Sequence, residues 1–244
     1  MGCKRESKSF SYDRNNADLF QTIGVDGSML HVGLTGSIAC GKTTVARMFV
    51  DKGAFHIDLD QVAHEVEEPD QPAWSQIVDF FGLGILNPNR TIDRAKLGAI
   101  VFQDRGKLAK LNSIVHPAVV DAWHRRIDEI KRIKPDAIIL SDNPLLFETG
   151  MQSMFDLILI VYISPEEQVD RLMKRNGCSR EEAERRIASQ MSIDDKRPLA
   201  EIVIDNQATP EETRKIVDRV WGDLLLREKD KRSGGDVLKT GRDL

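Results

Sequence analysis

The sequence predicts an α/β protein: a five-stranded parallel sheet flanked by helices, with an inserted helical substrate-binding region and a helical lid. Three observations carry this. Gly36-Ser37-Ile38-Ala39-Cys40-Gly41-Lys42-Thr43 is G-x-x-x-x-G-K-T, the phosphate-binding P-loop pattern. It lies between a short apolar run and a helical period, the setting the pattern requires. Further short apolar runs then alternate with helical stretches, as strands do in a parallel sheet of the P-loop NTPase type.

Leu30-His31-Val32-Gly33-Leu34-Thr35 is apolar and partly β-branched and reads as the first strand. Val45, Met48 and Phe49 after the loop have the i, i+3, i+4 spacing of a buried helix face. The glycines let the backbone bend around a phosphate, so the loop N–H groups and the helix N-terminus converge on an anion. Lys42 is placed to reach the β/γ-phosphates and the Thr43 hydroxyl to ligate Mg²⁺.

Lys52-Gly53 stops that helix, and residues 54–58 read as the second strand, ending in Asp58-Leu59-Asp60. Strand carboxyl ends face the ligand crevice of a parallel sheet. These carboxylates are therefore placed to bind Mg²⁺ through water, Asp58 first, or to take a proton from a substrate hydroxyl, Asp60 first. Asp60 also reads as a cap for a helix starting at Gln61.

No strand is legible over residues 73–134. Trp74, Ile77, Val78 and Phe81 lie on one helix face, broken by Gly82-Leu83-Gly84 and Asn87-Pro88-Asn89. Asp93 caps a helix carrying Leu97, Ile100 and Val101. A further turn ends at His116-Pro117, and Val119, Trp123, Ile127 and Ile130 mark a longer helix. An insertion of this kind holds the second substrate rather than the nucleotide.

Residues 136–141 form the third strand, closed by Asp142, a weak Walker B-like metal candidate. The fourth strand, residues 155–162, is apolar almost throughout, and Glu201-Ile202-Val203-Ile204-Asp205 is the fifth. Ser164-Pro165-Glu166-Glu167, Ser179-Arg180-Glu181-Glu182 and Thr209-Pro210-Glu211-Glu212 are helix starts. The last helix buries Ile216, Val220, Trp221 and Leu224. Residues 1–28 read as a disordered extension or the product of an upstream start, residues 29–228 as the domain, and residues 229–244 as a disordered tail.

The chain has 244 residues and a net charge of −4, which argues against a nucleic-acid-binding surface. No run approaches the ~20 apolar residues of a membrane span. Met1-Gly2-Cys3 does not open a myristoylation signal, since position 6 is Glu. The three scattered cysteines, Cys3, Cys40 and Cys178, form no disulfide framework or zinc spacing, which fits the cytoplasm. Cys40 lies inside the loop, so the loop is expected to be sensitive to thiol reagents.

Arginines crowd residues 165–198, where a lid would close over a transferring phosphoryl group. Arg171 and Arg175 are four apart, share a helix face and read as catalytic; Arg180 and Arg185 read as surface residues paired with glutamates. Arg125, Arg126, Lys131 and Arg132 read as a solvated helix face.

The order of motifs resembles the dephospho-CoA kinase family over about residues 29–227. The resemblance rests on Ile57-Asp58-Leu59-Asp60 with Ala63-His64-Glu65, Ile92-Asp93-Arg94 with Leu97-Gly98 and Val101-Phe102, and His116-Pro117. It continues through Pro144-Leu145-Leu146-Phe147-Glu148, Gln168-Val169-Asp170-Arg171-Leu172 with Arg175, Gln190 with Lys196, and Ile204-Asp205-Asn206. The resemblance implies phosphorylation of the ribose 3′-hydroxyl of dephospho-CoA by ATP with Mg²⁺. Asp60 matches the general base, and Ala39, Cys40, Gly41, Lys42, Thr43 and Thr44 the ATP-binding segment, which Gly36 opens. Asp60, His64, His116, Leu146 and Glu148 fall at its substrate side. The departures are Ser37 and Ala39-Cys40 where glycine and serine are usual, Glu201 for aspartate, and Asn143 for an apolar residue. Kinases of the nucleoside-monophosphate or shikimate type share the loop, the strand-end Asp and the arginine lid, and a nucleotide-binding regulator without turnover is the other alternative.

Overall fold

The structure, a computed structural model, describes residues 29–235; the expected extension over residues 1–28 and the end of the expected tail lie outside it. Five parallel strands, β1 (Leu30–Thr35), β2 (Phe55–Asp58), β3 (Ile138–Asp142), β4 (Leu157–Tyr162) and β5 (Ile202–Asp205), form one sheet in the order β2-β3-β1-β4-β5. β1 connects toward β2, whereas its neighbour β3 connects toward β4. The two strands thus lead away in opposite directions, and their carboxyl ends mark the point where such sheets bind ligands.

Helices cover both faces. α1 (Lys42–Val50) and the final helix pack on one face through Val45, Phe49, Val217, Val220 and Leu224 against Leu30, Val32, Leu34 and Leu159. On the other face α2 (Leu59–Val66) and the long helix described below bring Val62 and Trp123 onto Ile57, Ile139 and Ile158. β1 sits in the middle of the sheet, and all its residues are buried.

The insertion is helical. α3 (Pro72–Phe81), α4 (Arg94–Val101) and α5 (Arg105–Ile133) enclose a core of their own around Trp74, Ile77, Ile85, Leu97 and Ile114. Asp93 accepts from the N–H groups of Ala95 and Lys96 and starts α4 as expected. The expected break at His116-Pro117 is absent: α5 runs unbroken through Pro117. A proline there removes a single backbone bond, and burial of Ile114 before it and Val120 and Trp123 after it holds the helix together.

The lid follows β4 as α6 (Pro165–Asn176), α7 (Arg180–Ile187) and α8 (Ile193–Lys196). Ser164 and Ser179 cap the first two by accepting from Glu167 N–H and Glu182 N–H, and Thr209 forms a full capping box with Glu212 at the start of α9 (Pro210–Arg232). α9 extends into the stretch whose composition reads as a tail. Lys231 Nζ donates to the Met29 carbonyl at 2.7 Å and to Asp156 Oδ2 at 2.6 Å, tying the helix end to the start of β1.

Candidate active site

The strands are parallel, so their carboxyl ends share one rim, and the phosphate loop, Asp58, Asp60 and Asp142 fall along it. The phosphate loop leaves β1 and enters α1 at Lys42. Gly41 has φ +85, and a Cβ there would overlap Asn206 Nδ2, so the position requires glycine. Asn206 follows β5 and holds the loop: its Nδ2 donates to the Cys40 carbonyl at 2.8 Å, while its Oδ1 accepts from Thr213 Oγ1 at 2.8 Å. Ala39 has φ +64, the left-handed conformation that costs an L-residue roughly 1–2 kcal/mol. Glycine would take it without strain, and the alanine noted as a departure from the family pattern stands there.

Lys42 Nζ donates to Asp142 Oδ1 at the end of β3, and Asp142 is buried. β2 and β3 are in register so that Asp58 and Asp142 are direct neighbours. Asp142 Oδ2 also faces His56 Nε2 at 3.6 Å. Asp58, Asp142 and Lys42 thus converge beside the loop. The Thr43 hydroxyl is exposed in the first turn of α1, as is Thr44.

Of the two roles weighed for Asp60, the structure gives the capping one to another residue. Asp58, not Asp60, caps α2, its Oδ1 accepting from Gln61 N–H at 3.1 Å. The helix starts at Leu59 because β2 passes straight into α2 with no loop, so one residue ends the strand and caps the helix. Asp60 then lies in the first helical turn with no hydrogen bond or ion pair among the described residues. Partial burial raises its pKa most, and the Asp58 and Asp142 carboxylates add to that, against Lys42 and His64, which lower it. His64 is exposed one turn along the same face of α2.

Arg171 joins the site from the lid. Its Nη2 donates to the Asn206 carbonyl at 2.8 Å and its Nε to Glu167 at 2.7 Å, which sets the guanidinium beside Gly41. Arg175, one turn further, is exposed and donates to Asn176 Oδ1 at 2.9 Å. Arg180 pairs with Glu166 and Glu184, the surface role expected of it. Arg126 is not merely solvated: it binds Glu65 and ties α5 to α2.

Two expectations for the substrate side, Leu146 and Glu148, change. Leu146 is fully buried against Gly33, where a Cβ would lie 2.7 Å from its Cδ1, and it belongs to the core beneath the sheet. Glu148 Oε1 accepts from Met191 N–H at 2.9 Å and pairs at 2.8 Å with Lys196, which is fully buried and also donates to the Pro144 carbonyl at 2.8 Å. Glu148 therefore fastens the end of the lid to the turn after β3. His116 is half-buried on α5, where burial lowers its pKa and favours the neutral ring.

The thiol expectation is overturned as well. Cys40 is 1 % exposed, and burial pushes its pKa up to about 11, so almost none of the reactive thiolate is present at neutral pH. Alkylation of the folded protein is expected to spare Cys40 and to reach it only after unfolding in denaturant, read by peptide mass spectrometry. Labelling of Cys40 in the native state would contradict its burial.

The dephospho-CoA kinase family model matches residues 30–212. A dephospho-CoA kinase of Syntrophus aciditrophicus is 55% identical over 219 residues, 89% of this chain and 93% of that one. One from Carboxydothermus hydrogenoformans is 48% identical over 186 residues, 76% of this chain and 90% of its own. Among solved structures, dephospho-CoA kinase from Campylobacter jejuni aligns with a TM-score of 0.62 at 26% identity, covering 81% of this chain and 98% of that one. A Thermus thermophilus protein aligns with a TM-score of 0.67 at 31% identity, over 80% and 97%. Matches that cover 76–89% of this chain at these identities do not favour the shikimate, nucleoside-monophosphate or regulator alternatives. With a five-stranded P-loop kinase fold and an ATP-using family's sequence, the chain belongs to the dephospho-CoA kinase family.

Proposed function

We propose that this chain transfers the γ-phosphoryl group of ATP to the ribose 3′-hydroxyl of dephospho-CoA, giving CoA and ADP, with Asp60 as the base. The observation that carries this is the position of Asp60. It is free of the capping duty that Asp58 performs, and it lies within the electrostatic reach of Lys42 and Asp142. It also stands on the helix that leads into the insertion and packs on α5, so an acceptor held there meets the phosphate loop at Asp60.

The transfer is an in-line displacement. The bond from the 3′-oxygen to the γ-phosphorus forms as the bond to the β-phosphate oxygen breaks, and the hydroxyl proton passes to Asp60. The N–H groups from Ala39 to Thr44 hold the triphosphate, and Lys42 offsets charge on the β/γ-oxygens. Arg171 supplies a lid cation beside Gly41, with Arg175 as the second on the same face. Thr43, Asp58 and Asp142 provide only hard oxygen donors, which suits Mg²⁺ shared with substrate phosphates and water. When held there, Mg²⁺ would offset negative charge on the phosphates. His64 and His116 are proposed to face the acceptor from α2 and α5.

The free thiols of Cys40 and Cys178 suit a reducing compartment, the cytoplasm. Among the described residues no helix is long and apolar enough to cross a membrane.

ADP release from Mg-ATP with dephospho-CoA, AMP, dTMP and shikimate as separate acceptors tests this reading. Turnover with dephospho-CoA alone is expected. Preference for another acceptor, or ATP binding with no turnover, would overturn it.

A further inference from the structure

Two glutamines that the chemistry above leaves unused meet at one residue of the phosphate loop. The Ile38 N–H donates to Gln190 Oε1 at 3.1 Å, and the Ile38 carbonyl accepts from Gln168 Nε2 at 2.8 Å. Gln168 is fully buried on α6, the first helix of the lid, and Gln190 is half-buried in the turn between α7 and α8. They reach Ile38 from the two ends of the lid, across 130 and 152 residues of sequence. The side chains of Ile38 and Ala39 meanwhile pack on Val169, Leu172 and Ala183 of the same lid. The apex of the loop is thus gripped by the lid through two hydrogen bonds and an apolar contact.

The grip falls where the loop is least content. Ala39, next in sequence, holds φ +64, which an L-residue adopts reluctantly. A peptide that is bonded at neither end relieves such strain by turning over, which swaps the directions of its N–H and C=O. The phosphate loop depends on direction: it binds an anion only while its successive N–H groups point inward. The Ile38 carbonyl belongs to the peptide unit before Ala39, so the Gln168 bond opposes its turnover. The Ile38 N–H belongs to the preceding unit, which the Gln190 bond holds together with the Cys40 N–H on the Ser37 carbonyl at 3.3 Å.

We propose that Gln168 and Gln190 are positioning residues for the ATP triphosphate. They set the orientation of the backbone at Ile38, hold Ala39 left-handed, and so make nucleotide affinity depend on the seating of the lid. Neither touches substrate. The inference rests on the reading of this loop as the triphosphate site, and not on the identity of the acceptor.

Gln168→Met and Gln190→Met in the full chain keep side-chain length and remove the bonds. Each is expected to weaken ADP binding and to raise the ATP KM by about 3- to 10-fold, the worth of one hydrogen bond. The KM for dephospho-CoA should stay within about twofold, since the lid bonds reach the loop and not the insertion. Gln168 Oε1 is buried without a partner, so methionine removes an unsatisfied atom there. Gln190→Met, at a half-buried site, keeps the test open even if the Gln168 variant folds poorly. Folded variants with unchanged ADP affinity would overturn the proposal. So would a lowered thermal midpoint with intact ADP affinity, or equal rises in both KM values, because each describes a structural role alone. ADP titration needs no turnover, so a failed acceptor assignment leaves this result readable.

Discussion

Asp60→Asn is expected to lower kcat by about 10²- to 10⁴-fold, the range for loss of a general base, with ATP affinity nearly unchanged. The substitution is nearly isosteric, and it leaves α2 intact because the cap is Asp58. The loss is therefore chemical rather than structural, and the thermal midpoint should stay close to that of the parent chain. The same assignment fixes the sign of the pH dependence. Burial and the Asp58 and Asp142 carboxylates raise the Asp60 pKa above its ordinary 3.8. A protonated carboxyl has no site for the hydroxyl proton, so the rate falls as pH drops through the raised value. The acid limb of kcat/KM for dephospho-CoA is expected above the range of a free aspartate and should vanish in the Asn variant. Steady-state kinetics over pH, with ATP titration of both proteins, makes the measurement. Near-normal turnover by Asp60→Asn would remove Asp60 as the base.

Much of this rim was legible because its signals are local. An apolar run ending in a carboxylate marks a strand end in a parallel sheet, and G-x-x-x-x-G-K-T between strand and helix marks the loop. The strands stand where the runs stand, β1 unchanged, the others trimmed by a residue or two at their starts and β3 gaining Asp142 at its end, and the helix starts at Ser164, Ser179 and Thr209 carry the caps their sequences announce.

What was not legible depends on partners far along the chain. Whether Asp58 or Asp60 caps α2 turns on a strand passing into a helix without a loop, a boundary that residue types leave open. Leu145 and Leu146 look alike in sequence; Gly33 on β1 leaves the space that buries Leu146, while Leu145 stays exposed. Glu148 carries a carboxylate suited to a ligand, yet its Oε1 is taken by Met191 N–H and Lys196, and its Oε2 is buried without a partner. Cys40 follows a left-handed residue that turns its thiol inward against Gly36, so its burial is a property of the folded loop. Gln168 and Gln190 gave no sign of sharing Ile38 as a partner, because nothing in their own neighbourhoods names it.

Lys42→Ala carries the second large effect, and it acts on two links of the chain at once. Lys42 Nζ binds Asp142, whose side chain is 5% exposed, so the substitution removes a cation from the phosphate site and strips a buried carboxylate of its partner. The first loss should lower kcat/KM for ATP by about 10²- to 10³-fold, the effect of deleting one preorganised charge-stabilising group. The second should destabilise the protein by up to ~3–5 kcal/mol, the cost of leaving one member of a buried pair, with His56 at 3.6 Å as the remaining basic neighbour. The two are separable. Lys42→Ala with Asp142→Asn removes the orphaned charge, so the double variant should recover most of the thermal stability and little of the activity. Lys42→Arg keeps the charge but replaces a compact ammonium with a wider planar fork in a tight loop, and should restore stability better than turnover. Thermal unfolding and ATP titration of the single and double variants decide the matter. If the double variant regained ATP use along with stability, Lys42 would serve the fold alone, and the phosphate would be held by the loop N–H groups and Arg171.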